Sequence, residues 1–203
     1  MTKVTGPPAI SESLLVDLGR VARKYDRWTA RAYFELDGNY QVEYYRGRVE
    51  ILPMPTIEHQ RVAQRLNTAL VDFVTSGHSR GEVLFAGVRL KVADDVFREP
   101  DLLFIPEEAT GFVRKEYVER AGIVMEVLGE SDREHDLQTK RSEYARAGVP
   151  EYWIVDPETQ RISVLVLEAG KYVDQTESGR GGVVNSRFLP EFGVAVSAVF
   201  DVS

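Results

Sequence analysis

Apolar residues recur along this chain at two periods, and the switches between them mark out its elements. After Ser11, a suitable N-cap, Leu14, Leu18, Val21, Tyr25, Trp28 and Ala32 return at alternating steps of four and three, which predicts one amphipathic helix over 11–32. Residues 1–10, with Pro7-Pro8, read as an extended lead-in. Two strand-like pieces follow, 40–45 and 48–52, divided by Arg46-Gly47 in a tight turn, so a hairpin is expected to enter the sheet. Pro53 and Pro55 end it. Thr56 then caps a second helix expected to reach about residue 76, with Val62, Leu66, Ala69, Leu70 and Phe73 facing inward.

The period next falls to two. Residues 81–92 alternate, with Leu84, Ala86, Val88, Leu90 and Val92 on one face and Arg89 and Lys91 on the other, which predicts one half-exposed strand. A strand over 96–105 carries Pro100-Asp101, and a short helix is expected over 113–120. Residues 122–128 are Gly-Ile-Val-Met-Glu-Val-Leu, a run so short and apolar that it reads as a strand buried on both faces. Ser131-Asp132-Arg133-Glu134 has the capping-box pattern that starts a helix, and Gly148 followed by Pro150 stops it. Residues 151–155 form another apolar strand halted at Asp156-Pro157, 162–167 and 171–174 a hairpin, 178–182 a loop, and 188–200 an irregular tail with strand pieces.

Helices and strands in this order predict a single α/β domain over 1–203, with a mixed sheet flanked by helices. Its 203 residues suffice for one sizeable core. No long apolar run predicts a membrane span and no leader pattern is seen, so a cytoplasmic protein that does not enter a membrane is expected. Zero cysteines exclude thiolate catalysis, disulfides and Cys-ligated zinc, and His59, His78 and His135 stand at unrelated spacings.

A net charge of −7 argues against a simple nucleic-acid coat, since affinity for phosphates comes mostly from neutralising them. The charge is uneven. Residues 1–100 carry 14 basic and 13 acidic side chains, and the remainder 11 and 19, so a polyanion is expected to approach the N-terminal half. Arg20, Arg23, Lys24, Arg27 and Arg31 recur at helical spacing beside the apolar stripe. They are either a phosphate-contacting face or the solvated flank of a docking helix.

The candidate chemistry starts from Glu126. Burying an unpaired carboxylate in an apolar strand costs about 5 kcal/mol, so Glu126 needs a partner. The comparable acid is Asp101, at the head of its own apolar run. If the two runs are neighbours, both carboxylates converge and require a proton or a cation between them, and hard oxygen ligands of this kind suit Mg²⁺ or Mn²⁺. Glu58, in the first turn of its helix and at the start of the apolar stripe, either points inward or serves only the helix dipole. Asp136, Lys140 and Tyr144 share one face of the capped helix; for the first two, an ordinary surface pair is the plain alternative.

Taken together, Glu58-His59-Gln60, Pro100-Asp101-Leu102, Glu126-Val127-Leu128, Asp136 with Lys140 and Tyr144, and the string from Ala145 through Pro157 resemble the Uma-type endonucleases of the restriction-endonuclease-like PD-(D/E)XK superfamily. The resemblance spans about residues 33–200 and implies a restriction-endonuclease-like core, extended by the N-terminal helix and hairpin. It implies divalent-metal binding and hydrolysis of phosphodiester bonds in nucleic acid, DNA before RNA. It also implies Asp101 and Glu126 as metal carboxylates, the Val127 carbonyl as a third ligand, and Glu58 acting through water. Leu128 stands where the superfamily has its strand lysine, and Gly129-Glu130-Ser131-Asp132 where the branch often has Ser-Pro-Ser-Thr. Leucine cannot orient water or stabilise a phosphate, so Lys140 is expected to take the lysine's part, with Asp136 and Tyr144 in support. Two functions remain open at this point: an active endonuclease, or a nuclease-fold binding or scaffold protein acting as a homodimer.

Overall fold

The computed structural model describes residues 27–36, 41–129, 133 and 135–201, with the backbone alone at 135 and 136. Its centre is a six-stranded mixed sheet. β3 (Gly81–Phe85), β6 (Leu102–Pro106), β7 (Ile123–Val127), β8 (Glu151–Asp156), β9 (Arg161–Glu168) and β10 (Lys171–Ser178) neighbour one another in the order β10-β9-β8-β7-β6-β3. All pairs are antiparallel except β7 with β8. A parallel pair needs a crossover, and the chain supplies it with a π-wound segment, His135–Lys140, running into helix α3 (Arg141–Ala147). Gly148 ends α3 with φ +77, a left-handed conformation that glycine adopts without strain.

The two inner strands of that pair are buried along their whole length, as their apolar sequences require. One face packs on Val62, Leu66 and Leu70 of helix α2 (Ile57–Phe73) and on the short hairpin β11 (Val183–Asn185) and β12 (Gly193–Ala195) with helix α4 (Val196–Phe200). Thr56 caps α2 by accepting the His59 N–H at 3.1 Å. The other face packs on Tyr144 of α3 and on strands of a second sheet.

That second sheet is the main departure from the sequence pattern. β1 (Val42–Tyr45) and β2 (Arg48–Ile51) do form a hairpin around Arg46 and Gly47, but it joins β4 (Leu90–Ala93) and β5 (Val96–Arg98) in the order β2-β1-β5-β4 and never enters the main sheet. The strand expected over 81–92 is accordingly two strands in two sheets, broken at Ala86 (φ +41) and Gly87 (φ +70). The strand expected over 96–105 is likewise β5 and β6, parted at Glu99-Pro100-Asp101. Alternation continues across the first break, so periodicity alone does not reveal it, whereas the second falls in the polar stretch Arg98-Glu99-Pro100-Asp101 between two runs buried on both faces.

Two expected helices differ. Around 113–120 there is no helix: after a 3₁₀ stretch, Glu107–Phe112, Val118 pairs with Val113 and Leu90, and its backbone bonds Arg89 and Lys91 at 2.8 Å each. A buried β-branched valine on a sheet edge wins over local helix propensity. Residues 27–29, within the N-terminal helix expected to reach residue 32, are also non-helical. Thr29 is extended and its hydroxyl accepts the Ala32 N–H at 3.2 Å, capping a new short helix α1 (Ala30–Phe34). Trp28 therefore lies off any helical stripe, buried with Tyr33, Val42, Tyr44 and Phe97, its backbone N–H donated to the Gly47 carbonyl at 2.7 Å. Arg20, Arg23, Lys24 and the rest of that helix lie outside the described residues, as do Ser131, Asp132 and Glu134 of the capping box. No helix among the described residues is long and apolar enough to cross a membrane.

Candidate active site

Sheet register brings the first two carboxylates together. Leu102 lies opposite Met125 in the antiparallel β6–β7 pair, so the next step outward sets Asp101 opposite Glu126. The Ala86 N–H donates to the Asp101 carbonyl at 2.9 Å and fixes that residue's backbone where the two strands part. Its carboxylate then turns toward β7, where Oδ2 accepts the Val127 N–H at 2.8 Å. His59 Nε2, from the first turn of α2, lies 3.2 Å from the same oxygen.

Glu126 is buried at 3% exposure and its partners come from the crossover. Lys140 and Tyr144, one helical turn apart, both end on its Oε1: the ammonium at 3.0 Å and the phenol at 2.6 Å. Burial first, then the negative charges of Glu126 and Glu43, push the Tyr144 pKa well above the ordinary phenol value, so it remains a donor. Lys140 is itself only 4% exposed. Leu128, on the same face of the strand, packs into the core among Tyr144, Tyr152 and Ile154. Thus the cation at this glutamate arrives from a helix 14 residues on, not from the strand position two residues on.

Behind Lys140 lies a group of buried charges. Its Nζ is 3.3 Å from Oε1 of Glu43, which is fully buried in the middle of β1. Glu43 Oε2 accepts from Arg98 Nη1 at 2.7 Å, and the Glu99 N–H donates to Oε1 at 3.2 Å. Burial alone would raise the Glu43 pKa, but Lys140 and Arg98 outweigh it and hold the carboxyl below its ordinary value. Arg98 also reaches Glu50 at 2.9 Å and grips both oxygens of Glu143 on α3 at 2.7 and 3.0 Å, which ties the second sheet to the crossover helix. None of this was singled out from the sequence. The signal was present for Glu43 nonetheless, because it sits between Val42 and Tyr44 in a short apolar run, the same feature that marks Glu126.

These groups open onto one pocket of about 680 Å³, lined by Glu58, His59, Glu99, Asp101, Glu126, Val127 and Lys140, by Leu52 to Thr56, and by Arg133 and Glu158. That volume is in the range of ordinary ligand sites. Glu58 is exposed to the pocket and not turned into the core. Glu99 was not anticipated; burial raises its pKa, opposed by Arg89 at 3.5 Å. Asp136 falls in the π-wound segment, and its side chain lies outside the described residues. Of the basic stripe, Arg27 and Arg31 are described; both are exposed, and Arg31 pairs with Glu35 at 2.9 Å.

Five carboxylates line the pocket (Glu58, Glu99, Asp101, Glu126 and Glu158) against the cations of Lys140 and Arg133, an acidic excess of hard oxygen donors that fits Mg²⁺ or Mn²⁺ better than a soft metal. Among the described residues no three His, Asp or Glu side chains converge as a ready ligand set.

Comparison with known proteins places the chain. A family model described as Uma2, putative restriction endonuclease, matches residues 23–197. No curated protein matches it. Among solved structures, a putative nuclease belonging to DUF820 from Anabaena variabilis superposes with a TM-score of 0.67 at 14% identity, over 84% of this chain and 96% of that one, and shows the shared fold. The type IIG restriction endonuclease BpuSI reaches a TM-score of only 0.40 at 14% identity, over 73% of this chain and 16% of that one, and adds nothing to that assignment.

Proposed function

This chain belongs to the Uma2 family of putative restriction endonucleases, and on that premise we propose that it hydrolyses phosphodiester bonds of nucleic acid, DNA before RNA, with Mg²⁺ or Mn²⁺ at the Asp101–Glu126 pocket. The observation that carries the reading is the placement of a buried lysine, Lys140, 3.0 Å from a buried acid at the rim of a pocket that Asp101 also lines. Asp101, Glu126 and the Val127 carbonyl would hold the cation, with Glu58 acting through water. When bound, the cation supplies Lewis-acid polarisation of the scissile phosphate and lowers the pKa of water.

The remaining work falls to the chain's own groups. Lys140 keeps the Glu126 carboxylate oriented and presents an ammonium beside the pocket, where it orients the attacking water or stabilises a phosphate oxygen. Tyr144 donates to Glu126 and, staying protonated, fixes that oxygen's direction without adding charge. The Val127 N–H fixes Asp101 in the same way. The basic residues Arg20, Arg23, Lys24, Arg27 and Arg31 would serve either as a phosphate-contacting face or as the solvated flank of a docking helix, and a homodimer would present two such pockets to one duplex.

The test is a nicking assay on supercoiled plasmid, single-stranded DNA and RNA, with Mg²⁺, Mn²⁺ or a chelator. Cation-dependent nicking by the parent protein, abolished by Asp101→Asn, is the expected result. Retained nucleic-acid binding with no cleavage of any substrate would replace it with the scaffold reading. Sedimentation equilibrium with and without a short duplex decides the dimer.

A further inference from the structure

Glu43 belongs to a different sheet from Asp101 and Glu126, and it does not line the pocket. It is nevertheless the second acid on the pocket's lysine. The ammonium of Lys140 sits between Glu126 Oε1 at 3.0 Å and Glu43 Oε1 at 3.3 Å. The two carboxylates differ in what else they can do. Glu126 faces the pocket, where a cation competes for its oxygens and a phosphate for its lysine. Glu43 is fully buried and fixed on both oxygens, by Arg98 at 2.7 Å and by the Glu99 N–H at 3.2 Å. A lysine held by Glu126 alone would be drawn off or left astray each time that carboxylate took another partner. With Glu43 behind it, the ammonium keeps one anchor through such an exchange.

We propose that Glu43 is a positioning residue: it holds the Lys140 ammonium in place independently of Glu126, and Arg98 holds Glu43, so that the β2-β1-β5-β4 sheet acts as the frame of the site's lysine. The role in turnover rests on the endonuclease reading given above; the placement of the lysine does not. The physical case is that of a preorganised charge. A cation in a water-poor site is worth most to a reaction when it is already fixed and no reorganisation is needed as charge develops. Arg98 fits the part because its planar guanidinium spans three carboxylates, binding Glu143 with two hydrogen bonds and sharing Nη1 between Glu43 and Glu50.

The experiment reads the lysine directly. The full-length protein is acylated with a water-soluble N-hydroxysuccinimide ester, and the rate at each lysine is followed by mass spectrometry, with the exposed Lys171 as internal reference. In the parent, Lys140 reacts slowly. In Glu126→Gln it stays slow, because Glu43 still holds it. In Glu43→Gln, with Mn²⁺ added to compete for the Glu126 oxygens, it speeds up about tenfold or more relative to Lys171, as local opening exposes a group that was buried. A fast Lys140 in Glu126→Gln, or a slow one in a folded Glu43→Gln, overturns the proposal. Should Glu43→Gln fail to fold by circular dichroism, the Glu126→Gln result still decides. The same variants are then assayed for cleavage. Glu43→Gln should lower kcat about tenfold or more at unchanged KM, with part recovered in Glu43→Asp. A parent that never cleaves ends the endonuclease reading, while the acylation rates continue to judge the positioning of Lys140.

Discussion

Two glutamates on adjacent parallel strands, Glu126 on β7 and Glu151 on β8, are equally buried and differently employed. Glu151 lies opposite Ile123 at the start of its strand, with no exposure at all. Its four hydrogen bonds come from neutral donors: Trp153 Nε1 and Ser186 Oγ at 2.7 Å each to Oε1, and the backbone N–H groups of Arg187 and Phe188 at 2.6 and 2.9 Å to Oε2. This carboxylate pins the loop before β12 to the sheet and does not line the main pocket. Glu126 has a cation and a phenol on one oxygen and looks into that pocket. Burial and residue type are therefore the same in both. What separates a structural acid from a candidate catalytic one is whether its donors enclose it or leave it facing a space where something else can bind.

Substituting glutamine at both places tests that contrast most sharply. In Glu151→Gln one oxygen becomes an NH₂ group aimed at two donors, whichever way the amide turns. We expect a stability loss of about 4–5 kcal/mol, read as a fall in the urea midpoint at unchanged slope. In Glu126→Gln the amide oxygen can remain toward Tyr144 and Lys140, so stability should change by no more than about 1 kcal/mol. Equal losses at both positions would mean that Glu126 is as enclosed as Glu151, and the contrast would fail.

The next effect is on chemistry. Asp101→Asn and Glu126→Gln should each lower cleavage about a thousandfold, or about 4 kcal/mol of barrier, and weaken Mn²⁺ binding in calorimetry. Glu151→Gln, where enough of it is folded, should bind Mn²⁺ as the parent does. A smaller loss is expected at the lysine: Lys140→Met should cut kcat about a hundredfold while Mn²⁺ affinity stays level or rises, since an ammonium that competes for Glu126 is gone. Weaker Mn²⁺ binding in that variant would show instead that Lys140 supports the ligand geometry.

How much of this was legible in the sequence depends on how far apart the partners are. β7 and its lone charge, the Gly148 stop and the Tyr152-Trp153 strand are local patterns, and they stand in the structure as read. The pairing of Glu126 with Lys140 and Tyr144 was within reach because all three belong to one crossover. Glu43 and Arg98 are 55 residues apart on strands of a sheet whose existence depends on breaks at Ala86-Gly87 and Glu99-Asp101. Local periodicity runs straight through the first break, so the second sheet and the buried charges it carries were hidden together. The rule that a charge in an apolar strand needs a partner pointed at Glu43, between Val42 and Tyr44, while Arg98 beside Glu99 carried no such mark.

A third carboxylate completes the comparison and gives the smallest effect. Asp156 ends β8 five residues after Glu151, and it is satisfied by a mixture of the two kinds of partner: the Arg133 guanidinium on both oxygens, the Thr159 hydroxyl at 2.6 Å, and the N–H groups of Glu158 and Thr159 at 3.1 and 3.4 Å. Burial by itself would raise its pKa; the bonds from Arg133 and Thr159 outweigh that and hold it at about 2, against an ordinary value of 3.8. A folded-state pKa below the unfolded one stabilises the fold at any pH above the unfolded value, and the contribution disappears as pH falls through the folded value. Its size follows from the shift and is at most on the order of 2 kcal/mol, since Arg133 is itself 35% exposed and partly screened. The expectation is that Asp156→Asn is less stable than the parent by a constant amount from pH 7 down to about 4, and that the gap closes between about pH 4 and 2. Urea titrations of both proteins at each pH measure it. A gap that persists below pH 2 would mean that the hydrogen-bond geometry and not the charge is what Asp156 contributes. In that case Asp156 would resemble Glu151, and the presence of a cation partner would cease to distinguish the carboxylates of this sheet.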